Sequence, residues 1–251
     1  MKDSGYIMNQ VTHSPAAKEN MLRNPKKMRF DPSVDTGLGD GGKVELDFVR
    51  ELIQGADVLN IGCWTGTFER KSVELAASMT SVDVEPKALE VARTNVPAAK
   101  FIEASILDLP FPDQSFDLVT LWAVIEHIPV GTEPRALSEI ARVLRRGGYL
   151  ALGTPNSHLL SRLFDPAYLI AGHRHYAASE LSTKLIEAGF SVSNIETLGG
   201  WYSILGVLIF YTWKWLFHRR PPDWEWFANA QKKDEESRGF NTLYILAQRK
   251  F

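Results

Sequence analysis

The sequence predicts an α/β fold in which helices cover a mostly parallel β-sheet. From Asp57 onward, short apolar runs alternate with helical patterns, which is the order expected when crossover helices join parallel strands. The first run, 58–61, breaks into a loop with Gly62 and Gly66 before a helical pattern begins. A buried strand that turns tightly into a helix leaves bare backbone and the positive helix end facing a small ligand. We therefore expect the other elements to be built around this loop.

The predicted elements follow one another in strand–helix order. The helix over 132–144 is amphipathic, and it is followed by two arginines and Gly147, which suit a helix end. Polar and apolar residues alternate over 191–197, which places that strand near a sheet edge. We predict strands over 58–61, 80–84, 100–103, 116–122, 149–152, 191–197 and 242–249, and helices over 43–53, 67–77, 132–144, 179–188 and from Pro86.

Composition excludes some classes of function. The net charge of the 251 residues is −2, which argues against a nucleic-acid-binding protein that relies on general positive charge. The single cysteine, Cys63, excludes an internal disulfide and is typical of a reducing compartment. Residues 1–32 contain no apolar core of signal-peptide length. Together these features favour a cytoplasmic protein.

The composition of the chain changes twice along its length. Residues 1–42 mix Lys, Asn, Pro and Gly without a sustained period, which is typical of an N-terminal arm. The strand and helix pattern of the main domain occupies 43–199 and 240–251. Between these two parts, 200–239 form an apolar insertion that separates the last two strands.

An acidic residue follows the glycine loop at a distance typical of nucleotide-binding folds. Asp83 ends the second apolar run, 21 residues after Gly62, which suits a carboxylate that binds a ribose diol. A nicotinamide-dependent dehydrogenase shares this arrangement. The loop here has the pattern Gly-x-x-x-Gly and lacks the third glycine of Gly-x-Gly-x-x-Gly, which counts against a dehydrogenase.

Five motifs, in the same order and at matching spacings, resemble those of the class I S-adenosylmethionine-dependent methyltransferases. The resemblance runs from about Lys43 to Gly189 and includes the last strand. It implies a Rossmann-like fold with a mostly parallel seven-stranded sheet and an antiparallel last strand, and S-adenosylmethionine as the cofactor. The motifs are Val-Leu-Asn-Ile-Gly-Cys-Trp-Thr-Gly (58–66), Ser-Val-Asp-Val-Glu-Pro (81–86), Leu-Asp-Leu-Pro-Phe-Pro-Asp-Gln-Ser-Phe-Asp-Leu-Val (107–119), Ile-Glu-His-Ile (125–128) and Arg-Val-Leu-Arg-Arg-Gly-Gly-Tyr-Leu (142–150).

The same resemblance implies a set of cofactor-binding residues. Gly62 to Gly66 would cradle the methionine part of the cofactor, Asp83 would bind the ribose hydroxyls, and Val84 would lie against the adenine. An ordinary tight turn is the alternative for the glycines, and a solvated strand end is the alternative for Asp83. Ser105 and Ile106 would lie along the edge of the adenine. Trp122 would lie at the floor of the pocket, and core packing is the alternative for this residue.

Three positions depart from the pattern of the family. Asn60 stands where the family usually has Asp, Trp64 where it often has Gly, and Ser105 where many members have Asp. Asn and Ser keep the ability to form hydrogen bonds but lose the charge. With Cys63, these residues complete the predicted cofactor set. The departures favour one alternative, a non-catalytic partner protein that binds S-adenosylmethionine or S-adenosylhomocysteine.

Candidate catalytic residues follow the fourth predicted strand. Glu126 and His127 stand where acceptor-facing residues of the family lie, and an imidazole is a suitable base for a hydroxyl near neutral pH. Local packing of both side chains is the alternative. His175 and His173, two positions apart, could orient a substrate, and the alternative is that both are solvated loop residues. Some relatives bind a metal through Glu-x-x-Glu-His, but Ala123 stands at the first of those positions, so we predict no metal site.

The apolar segment 201–217 bears on the acceptor. Its 17 residues carry one charge, Lys214, and basic residues follow it, which favours a helix that lies in a membrane interface over one that crosses the bilayer. A lid helix or a homodimer contact is the alternative. The sequence therefore predicts transfer of a methyl group to a hydroxyl of a small-molecule or lipid-linked acceptor, with peripheral membrane contact through 201–217.

Overall fold

A computed structural model describes residues 42–250 except 167, 169–172 and 223. The arm predicted for 1–42 lies outside this part of the chain, apart from Gly42. Seven strands form one sheet in the order β3-β2-β1-β4-β5-β7-β6, and only β7 runs antiparallel to its neighbours. This confirms the predicted fold class and the edge position of the sixth strand. The strands are β1 Asp57–Ile61, β2 Ser78–Asp83, β3 Lys100–Glu103, β4 Phe116–Trp122, β5 Leu144–Pro155, β6 Phe190–Leu198 and β7 Thr242–Arg249.

Helices occupy most of the connections between the strands. Those in the described part of the chain are α1 Lys43–Val49, α2 Thr67–Ser72, α3 Pro86–Asn95, α4 Glu133–Val143, α5 Leu159–Leu163, α6 Ala178–Glu187, α7 Trp201–Phe217 and α8 Glu225–Glu235. The first two helices end earlier than predicted. After them the chain continues in turns, which still bury apolar side chains such as Ile53. The sequence analysis did not predict α5 or α8.

Burial on both faces explains the apolar character of the central strands. Val58 and Leu59 on β1 and Val119 and Leu121 on β4 are completely buried, as expected for parallel strands covered by helices on both sides. Helix α4 buries one stripe at helical spacing against this sheet: Ala136, Leu137, Ile140 and Val143. The sheet is therefore a rigid support for the loops at its ends.

The carboxyl ends of three neighbouring strands meet at one edge of the sheet. Ile61 of β1 pairs with Val82 of β2 on one side and with Leu121 of β4 on the other. The order of connection reverses between β1 and β4, and ligands of open α/β sheets bind in the crevice at such a point. The loops after β1, β2 and β4 consequently surround one place.

Helices α7 and α8 lie between β6 and β7 and pack against each other. The Asp234 carboxylate of α8 accepts hydrogen bonds from the backbone N–H of Gly200 at 2.7 Å and from the N–H and hydroxyl of Ser203 at 2.8 and 2.7 Å. An acidic group that satisfies the free N–H groups at a helix start typically stabilises it by about 0.5–2 kcal/mol. No helix in the described ranges has the length and hydropathy required to cross a bilayer.

Candidate active site

The glycine loop leaves bare backbone at the end of β1. Gly62 has φ +78°, and a Cβ atom there would lie 2.1 Å from Cγ2 of Val124. Its N–H and that of Cys63 both donate to the carbonyl of Val82, at 2.7 and 3.2 Å. Gly66, with φ +85°, begins helix α2. Both the left-handed conformation and the close approach therefore require glycine at position 62.

Asp83 holds the glycine loop in place. One carboxylate oxygen accepts the backbone N–H of Trp64 at 2.9 Å, and the other accepts that of Glu85 at 2.9 Å. Each oxygen keeps a second lone pair, so the carboxylate can still accept hydrogen bonds from a ligand. Trp64 has φ +48°, a left-handed conformation that favours glycine, which accounts for the glycine expected at this position.

A buried polar network lies beneath the loop and explains the asparagine at position 60. Asn60 and Ser81 each donate to the same Glu69 oxygen at 2.6 Å, and Thr120 donates to the Asn60 carbonyl oxygen at 2.8 Å. Glu69 is completely buried, and this burial raises the pKa of its carboxyl. A second carboxylate at position 60 would repel Glu69, whereas the asparagine amide donates to it.

The loops after β1, β2 and β4 open into a cavity of about 1250 Å³. Helices α1, α5, α7 and α8, the segment 173–175 and the adjacent ends of β5, β6 and β7 supply its other walls. Single-ligand pockets usually occupy roughly 300–1,000 Å³, so this cavity has room for a cofactor beside a second molecule. Of the predicted residues, the following line it: Gly62, Trp64, Asp83, Val84, Ile106, Trp122, Glu126, His127 and His175.

Four predicted cofactor residues lie outside the cavity wall. Asn60 belongs to the network beneath the loop, and Cys63 packs in the core, where burial raises the pKa of its thiol. Gly66 shapes the helix start, and the Ser105 hydroxyl accepts the N–H of Leu107 at 3.2 Å. These residues shape the loops that form the wall.

Trp122 packs in the core and also lines the cavity. Its ring packs against Phe48, Phe68 and Tyr244, with centroid distances of 6.4, 5.8 and 6.1 Å, and it also lines the cavity. The indole N–H is buried and meets no hydrogen-bond acceptor among the described residues. Buried donors normally have a partner, so this N–H is available to a ligand.

Titratable side chains gather on the β4 side of the cavity. Glu126 is 3% exposed and accepts the Thr154 hydroxyl at 3.0 Å. Burial raises its pKa to about 7, against the opposing effects of its backbone hydrogen bond and of His173. The His127 ring meets that of His173 edge to face, with centroids 4.3 Å apart. A carboxyl with a pKa of about 7 can exchange a proton with a ligand near neutral pH, and two imidazole rings lie on the same side of the cavity.

The two histidines of the 173–175 segment have different surroundings. His175 is almost fully buried, and its two ring nitrogens lie 3.1 Å from the Asn156 carbonyl and 2.9 Å from Asp165. His173 has Nδ1 3.7 Å from the same Asp165 carboxylate, and its buried Nε2 has no hydrogen-bond partner in the described part of the chain. His175 is therefore anchored, whereas His173 keeps one nitrogen for a ligand.

Arg174 joins this segment to the loop that carries Glu126. Its guanidinium donates to the carbonyls of Ile125 at 2.7 Å and Ile128 at 2.6 Å and pairs with Glu133. The sequence analysis missed this arginine and also Asp165. The two histidines that flank the arginine, His173 and His175, were a usable signal, since the sequence analysis singled them out. The contacts of the arginine, however, depend on how the chain returns over β4.

The buried state of Glu126 predicts a pH dependence of stability. Its folded pKa of about 7 lies above its ordinary value of 4.5, so the folded state binds the proton more tightly. Stability should therefore fall by on the order of 3 kcal/mol as the pH rises from about 4.5 to 7. Urea unfolding of the wild type and of Glu126→Gln at several pH values measures this loss. Equal losses in both proteins would contradict the assignment to Glu126.

The strand order, the glycine loop after β1 and the acid at the end of β2 define the class I methyltransferase fold. A family model described as a methyltransferase domain matches residues 59–152. The mitochondrial ubiquinone biosynthesis O-methyltransferase of Schizosaccharomyces pombe is 32% identical over 226 residues, which cover 76% of this chain and 78% of the relative. The chain belongs to the family of S-adenosylmethionine-dependent methyltransferases, whose cofactor agrees with the sequence prediction.

Other similarities are more limited in extent. A probable S-adenosylmethionine-dependent methyltransferase of Mycobacterium tuberculosis is 35% identical over 134 residues, covering 53% of this chain. The match spans 48% of that relative, about half of its length. A solved SAM-dependent methyltransferase of Thermotoga maritima, described as a possible histamine N-methyltransferase, has a TM-score of 0.59 at 22% identity and covers 82% of this chain and 88% of its own. This likeness concerns the fold alone.

Proposed function

We propose that the chain transfers a methyl group from S-adenosylmethionine to a hydroxyl of a small-molecule or lipid-linked acceptor. One observation carries the proposal. The same cavity is lined by the predicted cofactor residues Gly62 and Asp83 and by the titratable group Glu126, His127 and His173. A methyltransferase needs such a joint space, because the acceptor must lie beside the cofactor in line for displacement.

The residues on the glycine side fit the cofactor. The bare backbone at Gly62 allows close approach of a ligand, and the remaining lone pairs of Asp83 suit two ribose hydroxyls. The unpartnered Trp122 N–H offers a further donor. S-adenosylmethionine would supply a methyl group bonded to a positively charged sulfur.

The titratable group would receive the proton of the acceptor hydroxyl. We assign the base to His127 with Glu126, as the sequence predicted, and we add His173 because its Nε2 has no partner among the described residues and lies at the cavity. Since both ring nitrogens of His175 are engaged, we assign it a positioning role through Asp165. The O-methyltransferase name of the fission yeast relative supports a hydroxyl acceptor.

The test is formation of S-adenosylhomocysteine from S-adenosylmethionine with a panel of phenols, sugars and polyprenyl-linked hydroxyl compounds. We expect turnover with at least one acceptor class. The variants His127→Asn, His173→Gln and Glu126→Gln should each lower kcat by about 10²–10⁴-fold, because each removes a side chain assigned to proton transfer. Cofactor affinity should change little. Glu180→Gln is a matched control, since this carboxylate pairs with Lys184 on α6 and lies outside the cavity wall.

Two outcomes would contradict parts of the proposal. Unchanged turnover in all three variants would exclude the titratable group as the base while leaving the methyltransferase assignment intact. Cofactor binding without turnover across the panel would instead favour the non-catalytic binding protein, the alternative that the departures at Asn60, Trp64 and Ser105 favoured.

A further inference from the structure

Helix α7 buries two polar side chains and exposes several large apolar ones. The buried side includes Ser203, held by Asp234, and Lys214, which is 6% exposed. Most of the residues that point outward are large and apolar, with Leu216 70% and Trp201 57% exposed. We call these residues the aromatic face: Trp201, Tyr202, Leu205, Trp215, Leu216 and Phe217. A helix on a water-exposed surface normally has the opposite arrangement.

The apolar surface continues onto the two neighbouring helices. Leu159 and Leu163 of α5 are 75% and 55% exposed, and the adjacent Phe164 contacts Trp201 with ring centroids 6.2 Å apart. On α8, Trp226 is 68% exposed, and the adjacent Phe227 contacts Tyr202 with ring centroids 6.1 Å apart. Contiguous apolar surface of this kind marks an interaction site rather than scattered exposed residues.

Basic residues adjoin the aromatic face. His218, Arg219 and Arg220 follow the last turn of α7 and are exposed, and the first turn of α7 contains no acidic residue. Tryptophan and arginine side chains together are typical of helices that lie in the headgroup region of a membrane. Each arginine near an anionic lipid surface contributes about 1 kcal/mol.

A second copy of the chain fits this face less well than a bilayer does. In an antiparallel pair of α7 helices, the arginines of one copy would face the helix start of the other. That end carries the positive end of the helix dipole and has no acidic side chain of its own in the first turn. The Asp234 carboxylate of α8 lies there, but it already accepts three hydrogen bonds from the same helix start. An anionic lipid surface offers opposite charge to the arginines and hydrocarbon to the apolar side chains at the same time.

The topology requires α7 to lie on the surface rather than to cross it. Strands β6 and β7, which flank α7 and α8, pair with each other from Phe190–Arg249 to Leu198–Thr242. Both ends of the α7–α8 connection therefore return to the same sheet. Ile204, Val207 and Tyr211 of the same helix line the cavity, so the wall of the cavity and the aromatic face belong to one helix.

We propose that the aromatic face of α7 docks on the surface of an anionic phospholipid bilayer. Docking does not depend on the proposed methyl transfer. A second step, the entry of a lipid-linked acceptor from the bilayer into the cavity, does rest on the proposed methyl transfer.

Vesicle sedimentation of the full chain tests this proposal. The wild type should sediment with vesicles of phosphatidylcholine and phosphatidylglycerol, less so at high salt, and weakly with phosphatidylcholine alone. The double variant Trp215→Ser/Leu216→Ser should bind both kinds of vesicle at least tenfold more weakly, because it loses two exposed apolar anchors. Arg219→Gln/Arg220→Gln should lose about tenfold on the anionic vesicles only.

A matched control places the same change on another surface. Ile186 on α6 and Ile195 on β6 are 54% and 43% exposed, so Ile186→Ser/Ile195→Ser alters hydropathy outside the aromatic face and should leave vesicle binding unchanged. Cofactor titration of each variant reports whether it has folded, since none of these residues lines the cavity. Wild type that stays in the supernatant would overturn the proposal. So would a dimer in solution that Trp215→Ser/Leu216→Ser dissociates, because the face would then be a subunit interface.

Discussion

Asp83→Asn should weaken the binding of S-adenosylmethionine about ten- to hundredfold. The carboxylate accepts two backbone N–H groups, from Trp64 and Glu85, and the residue lines the cavity. An asparagine would turn its NH₂ group toward one of these donors, so that the loop loses a hydrogen bond and the ligand loses a charged acceptor. A hydrogen bond to a charged group typically contributes about 1.5–3 kcal/mol, which corresponds to this range of affinity. The measurement is the rise in melting temperature with increasing cofactor concentration.

Glu103→Gln is the matched control for this change. Glu103 pairs in register with Asp83 on the adjacent strand, but it does not line the cavity. Its variant should keep the affinity of the wild type. Equal loss in the two variants would show that general negative charge, rather than the position of Asp83, determines the affinity.

Gly62→Ala should both destabilise the protein and abolish cofactor binding. The positive φ of Gly62 costs a residue with a Cβ atom about 1–2 kcal/mol. The added atom would also lie 2.1 Å from Cγ2 of Val124, and overpacking of this kind typically costs about 1–3 kcal/mol more. The loop must therefore move, and its backbone no longer meets the ligand. Chemical denaturation and cofactor titration of the same sample measure both effects.

The variant Gly131→Ala is a control for Gly62→Ala, because it introduces the same backbone strain without a steric clash. Gly131 has φ +83°, but a Cβ atom there would meet nothing within 4 Å. Its variant should therefore lose only the conformational part of the stability and keep the cofactor affinity. Val124→Ala, combined with Gly62→Ala, should recover part of the lost stability because it removes the colliding methyl groups. A Gly62→Ala variant that binds as well as the wild type would contradict the role of the bare backbone.

The elements that could be predicted from the sequence are those with a strong apolar pattern. The strands over 116–122 and 242–249 and the helix over 201–217 match the structure residue for residue. Their long apolar runs or aromatic character leave few alternative assignments. Helix α5 is only five residues long, and α8 contains a run of charges that has no apolar stripe, so neither gives a periodic signal.

The candidate site was partly predictable for the same reason. Gly62, Asp83 and Glu126 could be identified because each ends a strand or follows within a few residues of one whose carboxyl end faces the cavity. The role of Glu69 could not, because its partners Asn60 and Ser81 come from two neighbouring strands and meet it only in the folded sheet. Long-range pairs of this kind leave no local spacing in the sequence.

The orientation of the aromatic face of α7 could not be predicted from the sequence. The sequence identified an apolar helix, but its mean composition does not indicate which side is buried. Only the fold shows that Ser203 and Lys214 point inward while Trp215 and Leu216 point outward. The contact with Asp234 on α8 fixes this rotation of the helix.

Calorimetric titration of the wild-type chain with S-adenosylmethionine and S-adenosylhomocysteine, with NADH as the control ligand, tests the central claim most directly. The glycine loop, Asp83 and the Trp122 N–H together form a site that should bind both sulfur-containing ligands and leave NADH unbound. The account predicts saturable binding of the first two with one site per chain. Absence of binding for both, or tighter binding of NADH, would contradict it.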